Sequence, residues 1–154
     1  IKNQYVEWFT ETLIPNDELI NYTVIYIYRN PVDSILSRFA NPQHLINIQS
    51  NPSIKIRDII NTKKDLYGVE EFFDNYVLKK KKYDIICVKF ENFFDNIEKI
   101  NKILNIKGDP KLYPKKKQIN NNKKDPIKIK LEKIYEKLIM KMNKYDSVFI
   151  NKKK

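Results

Sequence analysis

Glycine is almost missing from this chain of 154 residues, which holds two, Gly68 and Gly108. A Walker-type phosphate loop and a dinucleotide fingerprint each need several glycines so that the backbone can approach a phosphate, and both are excluded. Cysteine and histidine occur once each, as Cys87 and His44. A disulfide framework, a Cys/His zinc site and a Cys-x-x-Cys redox pair are excluded with them, and no structural metal is expected. Apolar runs stay short of the roughly 18 to 20 residues that span a bilayer, and no secretory leader pattern opens the sequence. The expectation is a soluble protein of a reducing compartment, intracellular and cytoplasmic. The chain begins at Ile1 inside an already patterned stretch, as a piece cut from a longer protein would.

What the chain does have is core material and positive charge. Hydrophobic residues make up 42% and aromatics 12%, enough for one domain over residues 1–150 by length. The formal charge of +11 is uneven. Residues 1–106 contain 14 Lys/Arg and 14 Asp/Glu, whereas residues 107–154 contain 16 and 5. An anionic partner for the basic end follows: the phosphates of a nucleotide, a nucleic acid, or an anionic surface. The lysine runs 79–82, 115–117 and 152–154 otherwise read as solvated faces or frayed ends.

Tyr5, Trp8, Phe9 and Leu13 recur at helical spacing, which predicts a helix over 3–13. Thr23 to Tyr28 (TVIYIY) is a run of β-branched and aromatic residues without polar alternation, the pattern of a central parallel strand covered on both faces. It stops at Arg29-Asn30-Pro31. There Asn30 suits an N-cap, Pro31 the first helical position and Asp33 the third, so a helix begins. Val32, Ile35, Leu36 and Phe39 form its apolar face, with Ser34 and Ser37 opposite. It ends before Asn41-Pro42, and residues 41–52 form a loop between two Asn-Pro turns.

Ser53 is expected to cap a helix reaching Leu66, with Ile56, Ile59 and Ile60 inward, and a further helix over 69–79 carries Phe72, Phe73 and Tyr76. Asp84 to Val88 (DIICV) is a second buried strand. The helices in between make it parallel to the first. Asn92 caps a helix carrying Phe93, Ile97, Ile100 and Leu104, which ends near Gly108. Residues 109–126, with three prolines, read as a long basic loop. Leu131, Ile134, Tyr135, Leu138, Met142 and Tyr145 place a last helix over 127–145 that docks on the sheet, and 151–154 should fray. The fold class is α/β, a short parallel sheet flanked by helices.

Open α/β sheets bind ligands outside the carboxyl ends of their parallel strands, which is where Arg29 stands. The helix that follows offers free N–H groups and the positive end of its dipole, and Arg29 adds a bidentate charge. Ser37 lies roughly 9 Å along at ~1.5 Å per residue, leaning back toward the helix start. The pair suits one phosphate.

The segment IYIYRNPVDSILSRF, with strand, Arg29-Asn30-Pro31, Asp33 and Ser37 in that order, resembles the 3′-phosphate-binding segment of the sulfotransferases that use 3′-phosphoadenosine 5′-phosphosulfate (PAPS). Residues 83–106 are similar to that family's later strand, its aromatic-Glu-Asp/Asn turn (here Phe90-Glu91-Asn92) and the following helix. The resemblance implies a sulfotransferase-like, P-loop-like fold, with Arg29 and Ser37 on the donor's 3′-phosphate and transfer of a sulfuryl group to a hydroxyl or amine. The family's 5′-phosphosulfate loop is not found upstream of Tyr22, so it is expected to precede Ile1, or the chain is a remnant that does not bind donor normally. The C-terminal Arg-Lys-Gly element is also absent. Lys115, Lys116 and Lys117 are expected to close over the 3′-phosphate in its place. The catalytic base is unassigned: Glu7 and Glu11 qualify by position, and His44 lies near where an acceptor would enter, although a surface role is the plainer reading of it. Cys87 reads as a small buried hydrophobe, Glu91 as a helix-start residue, and the tyrosines as core.

Two alternatives stand beside this reading. One is a catalytically inactive module of the same fold, used for binding or structure. The other is a basic nucleic-acid-binding protein, against which the tail lacks interleaved aromatics and any helix-turn-helix or zinc signature.

Overall fold

A computed structural model of the chain describes residues 23–39, 51–109 and 125–154, without the side chains of 38 and 39. The helix expected over 3–13, most of the loop over 41–52 and nearly all of the basic loop over 109–126 lie outside the described residues.

Strand β1 (Thr23–Tyr28) leads into a one-turn helix α1 (Pro31–Ser34) that continues as a π-helical turn, Ile35–Phe39. Helices α2 (Ile56–Thr62) and α3 (Val69–Val77) connect to strand β2 (Asp84–Lys89). Two 3₁₀ turns then precede helix α4 (Ile97–Leu104). The chain closes with α5 (Pro126–Ile134), α6 (Glu136–Met142) and strand β3 (Val148–Asn151). The described residues form a mixed α/β structure on one small sheet, ordered β1-β2-β3.

β1 and β2 are parallel, from Thr23 opposite Asp84 to Tyr28 opposite Lys89, as expected from the sequence. The sheet as a whole is mixed rather than parallel, because β3 runs antiparallel to β2 with Asn151 opposite Ile85. That strand replaces the fraying expected at the start of 151–154. Asn151 is buried, and its amide donates to the carbonyls of Tyr76 and Lys79, both at 3.0 Å. A buried amide with two acceptors holds the strand end down.

Burial alternates along β1, with Tyr26 and Tyr28 inside and Ile25 and Ile27 exposed, whereas the middle of β2 is buried throughout. β2 is therefore the central strand and β1 the edge of the described sheet, reversing the expected coverage of β1. The cause lies on the second face of the sheet. Ile100 and its neighbours on α4 pack on Ile86, Val88 and Val148, which are residues of β2 and β3.

The larger core fills the other face. Val32 of α1, Ile35 of the π-helical turn, Phe73 of α3, Leu131 of α5 and Leu138 of α6 meet Ile85 and Cys87 there. Tyr26 stacks on Tyr28 and on Tyr76, at centroid separations of 5.9 and 4.9 Å. Such stacked or edge-on ring pairs add to the area they bury. Cys87, fully buried in mid-strand, has its thiol pushed up to about 12 by burial.

Helix boundaries depart from the sequence pattern where a local hydrogen bond outweighs it. α2 begins after Lys55 rather than Ser53, because the Asp58 carboxylate accepts the Lys55 N–H at 2.8 Å. It ends at Lys63, which adopts a left-handed conformation. α4 begins at Ile97 rather than after Asn92, and it stops at left-handed Asn105, before Gly108. The single helix expected over 127–145 is two, interrupted at Tyr135, whose buried hydroxyl donates to Asp65 at 2.8 Å.

Candidate functional site

The carboxyl ends of β1 and β2 bring together the two stretches that carry the sulfotransferase resemblance. At the end of β1, Asn30 caps α1 with its side-chain oxygen, accepting the N–H groups of Val32 at 2.9 Å and Asp33 at 3.4 Å. Pro31 has no N–H, and Ser34 donates to the Asn30 carbonyl at 3.0 Å. The first turn is thus capped from within the chain, which corrects the expectation that its N–H groups stand ready for an anion. Side chains, rather than the helix end, define the locus.

Arg29 Nη1 donates to Ser37 Oγ at 3.0 Å, and the Ser37 hydroxyl donates in turn to the Asp33 carbonyl at 2.6 Å. The Arg29 guanidinium lies over the Phe90 ring, 5.2 Å from its centroid, in a cation–π arrangement. Its Nε is buried and has no hydrogen-bond acceptor among the described residues. One face of the guanidinium is held by an aromatic ring and one edge by a hydroxyl, which leaves donor capacity for an oxyanion.

Ser37 is exposed and lies within the π-helical turn. Its bond to the carbonyl four residues back is the kind of side-chain competition that bends a helix, and single π turns recur at functional sites. No pattern in the sequence marks this turn, since the apolar spacing of Val32, Ile35 and Leu36 suits an ordinary α-helix.

Glu91, the middle residue of the first 3₁₀ turn, is bound to the chain just beyond β1. Its Oε1 accepts the backbone N–H of Asn30 at 2.8 Å, tying the residue after Arg29 to the residue after Phe90. The helix that Glu91 was expected to start begins only at Ile97, and the carboxylate instead ties the ends of the two strands together. Tyr28, one residue before Arg29, is buried edge-on against Phe73, and burial holds its hydroxyl well above the ordinary tyrosine range. It stays protonated at neutral pH.

A second cation arrives from far along the chain. Lys128 of α5 places Nζ 3.3 Å from Asp33 Oδ1, in an ion pair with little exposure on either side. This pins α5 beside the segment that holds Ser37. Lys128 was not legible in the sequence, being one lysine among many and 95 positions from its partner.

Of the residues singled out from sequence, Arg29 and Ser37 are thus in direct contact, whereas Lys115, Lys116, Lys117, His44, Glu7 and Glu11 lie outside the described residues. Among the described residues no helix is long and apolar enough to cross a membrane. No protein-family model matches the chain, and none of the curated proteins or solved structures compared with it does so either.

Proposed function

We propose that the chain binds PAPS and serves sulfuryl transfer to a hydroxyl or amine, on a sulfotransferase-like α/β fold, with Arg29 and Ser37 gripping the donor's 3′-phosphate. The observation that carries this reading is the 3.0 Å hydrogen bond between Arg29 and Ser37 at the carboxyl end of a parallel strand. Two residues eight positions apart, chosen for their resemblance to a phosphate grip, share one small patch of surface there. The cation–π contact with Phe90 and the adjacent Glu91–Asn30 bond support the same reading, since they dock the second resembling stretch against the first.

In the reaction, the bond from sulfur to the donor's 5′-phosphate oxygen breaks, and a new bond forms from sulfur to the acceptor's oxygen or nitrogen. The acceptor's proton passes to a base. Arg29 and Ser37 act on binding and orientation, holding the adenosine end so that the sulfuryl group is presented in one direction. The run Lys115 to Lys117 is proposed to add charge over the same phosphate.

The test is a thermal shift with adenosine 3′,5′-bisphosphate. A ligand that binds only the folded state raises the melting temperature. The wild type should respond and Arg29→Ala should not, since a charge-assisted contact of roughly 1.5 to 3 kcal/mol is removed. An equal shift in the variant overturns the assigned site. No shift in the wild type, together with salt-sensitive DNA binding, favours a nucleic-acid-binding protein instead.

A further inference from the structure

We propose that the amino end of the sheet is a docking surface for the anionic face of a lipid bilayer. The sequence separates two lysine runs, 79–82 and 152–154, by some seventy positions, and the fold lays them side by side. Lys154 donates its N–H to the Lys81 carbonyl at 3.1 Å, and Lys80 Nζ donates to the Lys152 carbonyl at 3.2 Å. Lys153 donates its N–H to Asp84 Oδ1 at 2.8 Å, and Lys152 Nζ lies 3.6 Å from Asp84 Oδ2. The buried Asn151 amide anchors the strand end that delivers the tail.

Seven lysines therefore share one ridge, and Asp84 is the sole acid within two positions of either run. Gathering like charges costs electrostatic free energy, and hydrogen bonds from the buried Asn151 amide and to the Asp84 carboxylate hold them gathered. A ridge of this kind is complementary to a dense layer of negative charge.

Two details favour lipid over nucleic acid. The charges are all lysine, strongly hydrated point charges without the guanidinium fork that reads phosphates and bases. Among the described residues, the rings that flank the first run in sequence, Tyr76 and Tyr83, are buried at 3% and 2% exposure and offer no platform for stacking bases. Leu78, next to Lys79, is instead 47% exposed. An apolar side chain beside a polybasic cluster suits a headgroup layer, with charge meeting the phosphates and the leucine entering the acyl boundary.

The ridge lies at the opposite end of the strands from Arg29, about 17 Å away at ~3.3 Å per residue. Docking there leaves the Arg29 end facing away from the bilayer.

The test is co-sedimentation with vesicles of phosphatidylcholine alone or with about 30 mol % phosphatidylserine. The protein should bind only the anionic vesicles, and about tenfold or more less tightly when salt rises from about 0.1 M to about 0.5 M. Lys82→Gln/Lys153→Gln/Lys154→Gln alters exposed side chains and should lower binding about a hundredfold, at about fivefold per lysine, with its melting temperature unchanged. Leu78→Ser, which leaves the charge intact, should also weaken vesicle binding severalfold. Equal binding to neutral vesicles, or a triple variant that binds like the wild type, overturns the proposal. So does a single-stranded RNA that binds more tightly than the vesicles and is indifferent to Leu78→Ser.

Discussion

The backbone N–H of Asn30 donates to Glu91 Oε1 at 2.8 Å, joining the chain just beyond β1 to the chain just beyond β2. Parallel strands are tied by ladder bonds only along their length, and this side-chain bond extends the tie past the last paired residues. Glu91→Ala strips the acceptor from a part-buried donor and should destabilise the fold by about 1 to 3 kcal/mol in urea unfolding. Glu91→Gln keeps an oxygen at the same position and should lose less.

On the proposed function, Arg29 and Ser37 should make separable contributions to ligand binding. Ser37→Ala removes one neutral hydrogen-bond partner and should weaken adenosine 3′,5′-bisphosphate binding about three- to tenfold by calorimetry. Arg29→Lys preserves the charge but loses the planar fork and its stacking on Phe90, so it should weaken binding more than Ser37→Ala does. An Arg29→Lys variant that binds as tightly as the wild type would show that charge alone, not the planar fork on Phe90, governs the site.

Lys141 ties α6 to α3, donating to Glu70 at 2.6 Å and to both Asp74 oxygens at 3.0 Å. Partial burial pulls its pKa down, but the hydrogen bonds with Glu70 and Asp74 outweigh this, so it is raised overall. A raised folded pKa means stability that is fully present below the unfolded value of about 10.4 and lost as pH climbs through the folded one. The stability gap between wild type and Lys141→Met should be about 1 kcal/mol at neutral pH and shrink above about pH 10.5. Urea midpoints measured across that range provide the check.

Asn151 is the anchor of β3. Replacing it with alanine leaves the carbonyls of Tyr76 and Lys79 without their side-chain donor. The cost should be about 1 to 3 kcal/mol. Hydrogen exchange at Lys153 and Lys154 should accelerate more than exchange in β1, because the tail would lose its attachment before the parallel pair does.

The parts of this structure legible in the sequence are those with strong local signals. Asn30-Pro31 announces a capped helix start, and TVIYIY and DIICV announce strands through their β-branched and aromatic residues. The helices between β1 and β2 pointed to a parallel pair, which they form, whereas β2 and β3, also separated by helices, pair antiparallel. β3 escaped because SVFIN is short, follows a helix without a turn signature, and owes its place to the amide of Asn151 reaching α3. The edge position of β1 was equally hidden, since an uninterrupted apolar run does not reveal which of its faces a later helix will cover. At the site, Arg29 and Ser37 were readable because strand end and helix rise set their spacing. Glu91 on Asn30 and Lys128 on Asp33 were not, being contacts made at sequence separations of 61 and 95.

Cys87 is the one thiol of the chain and sits with no exposure in the central strand, its ionisation suppressed by burial. Only the thiolate attacks an alkylating reagent, and only a solvent-reached thiolate forms readily at neutral pH. Modification of this single atom can therefore proceed no faster than β2 parts from its surroundings. The molecule carries its own chemical clock, and the pace of iodoacetamide labelling in native buffer counts how often the heart of the sheet opens.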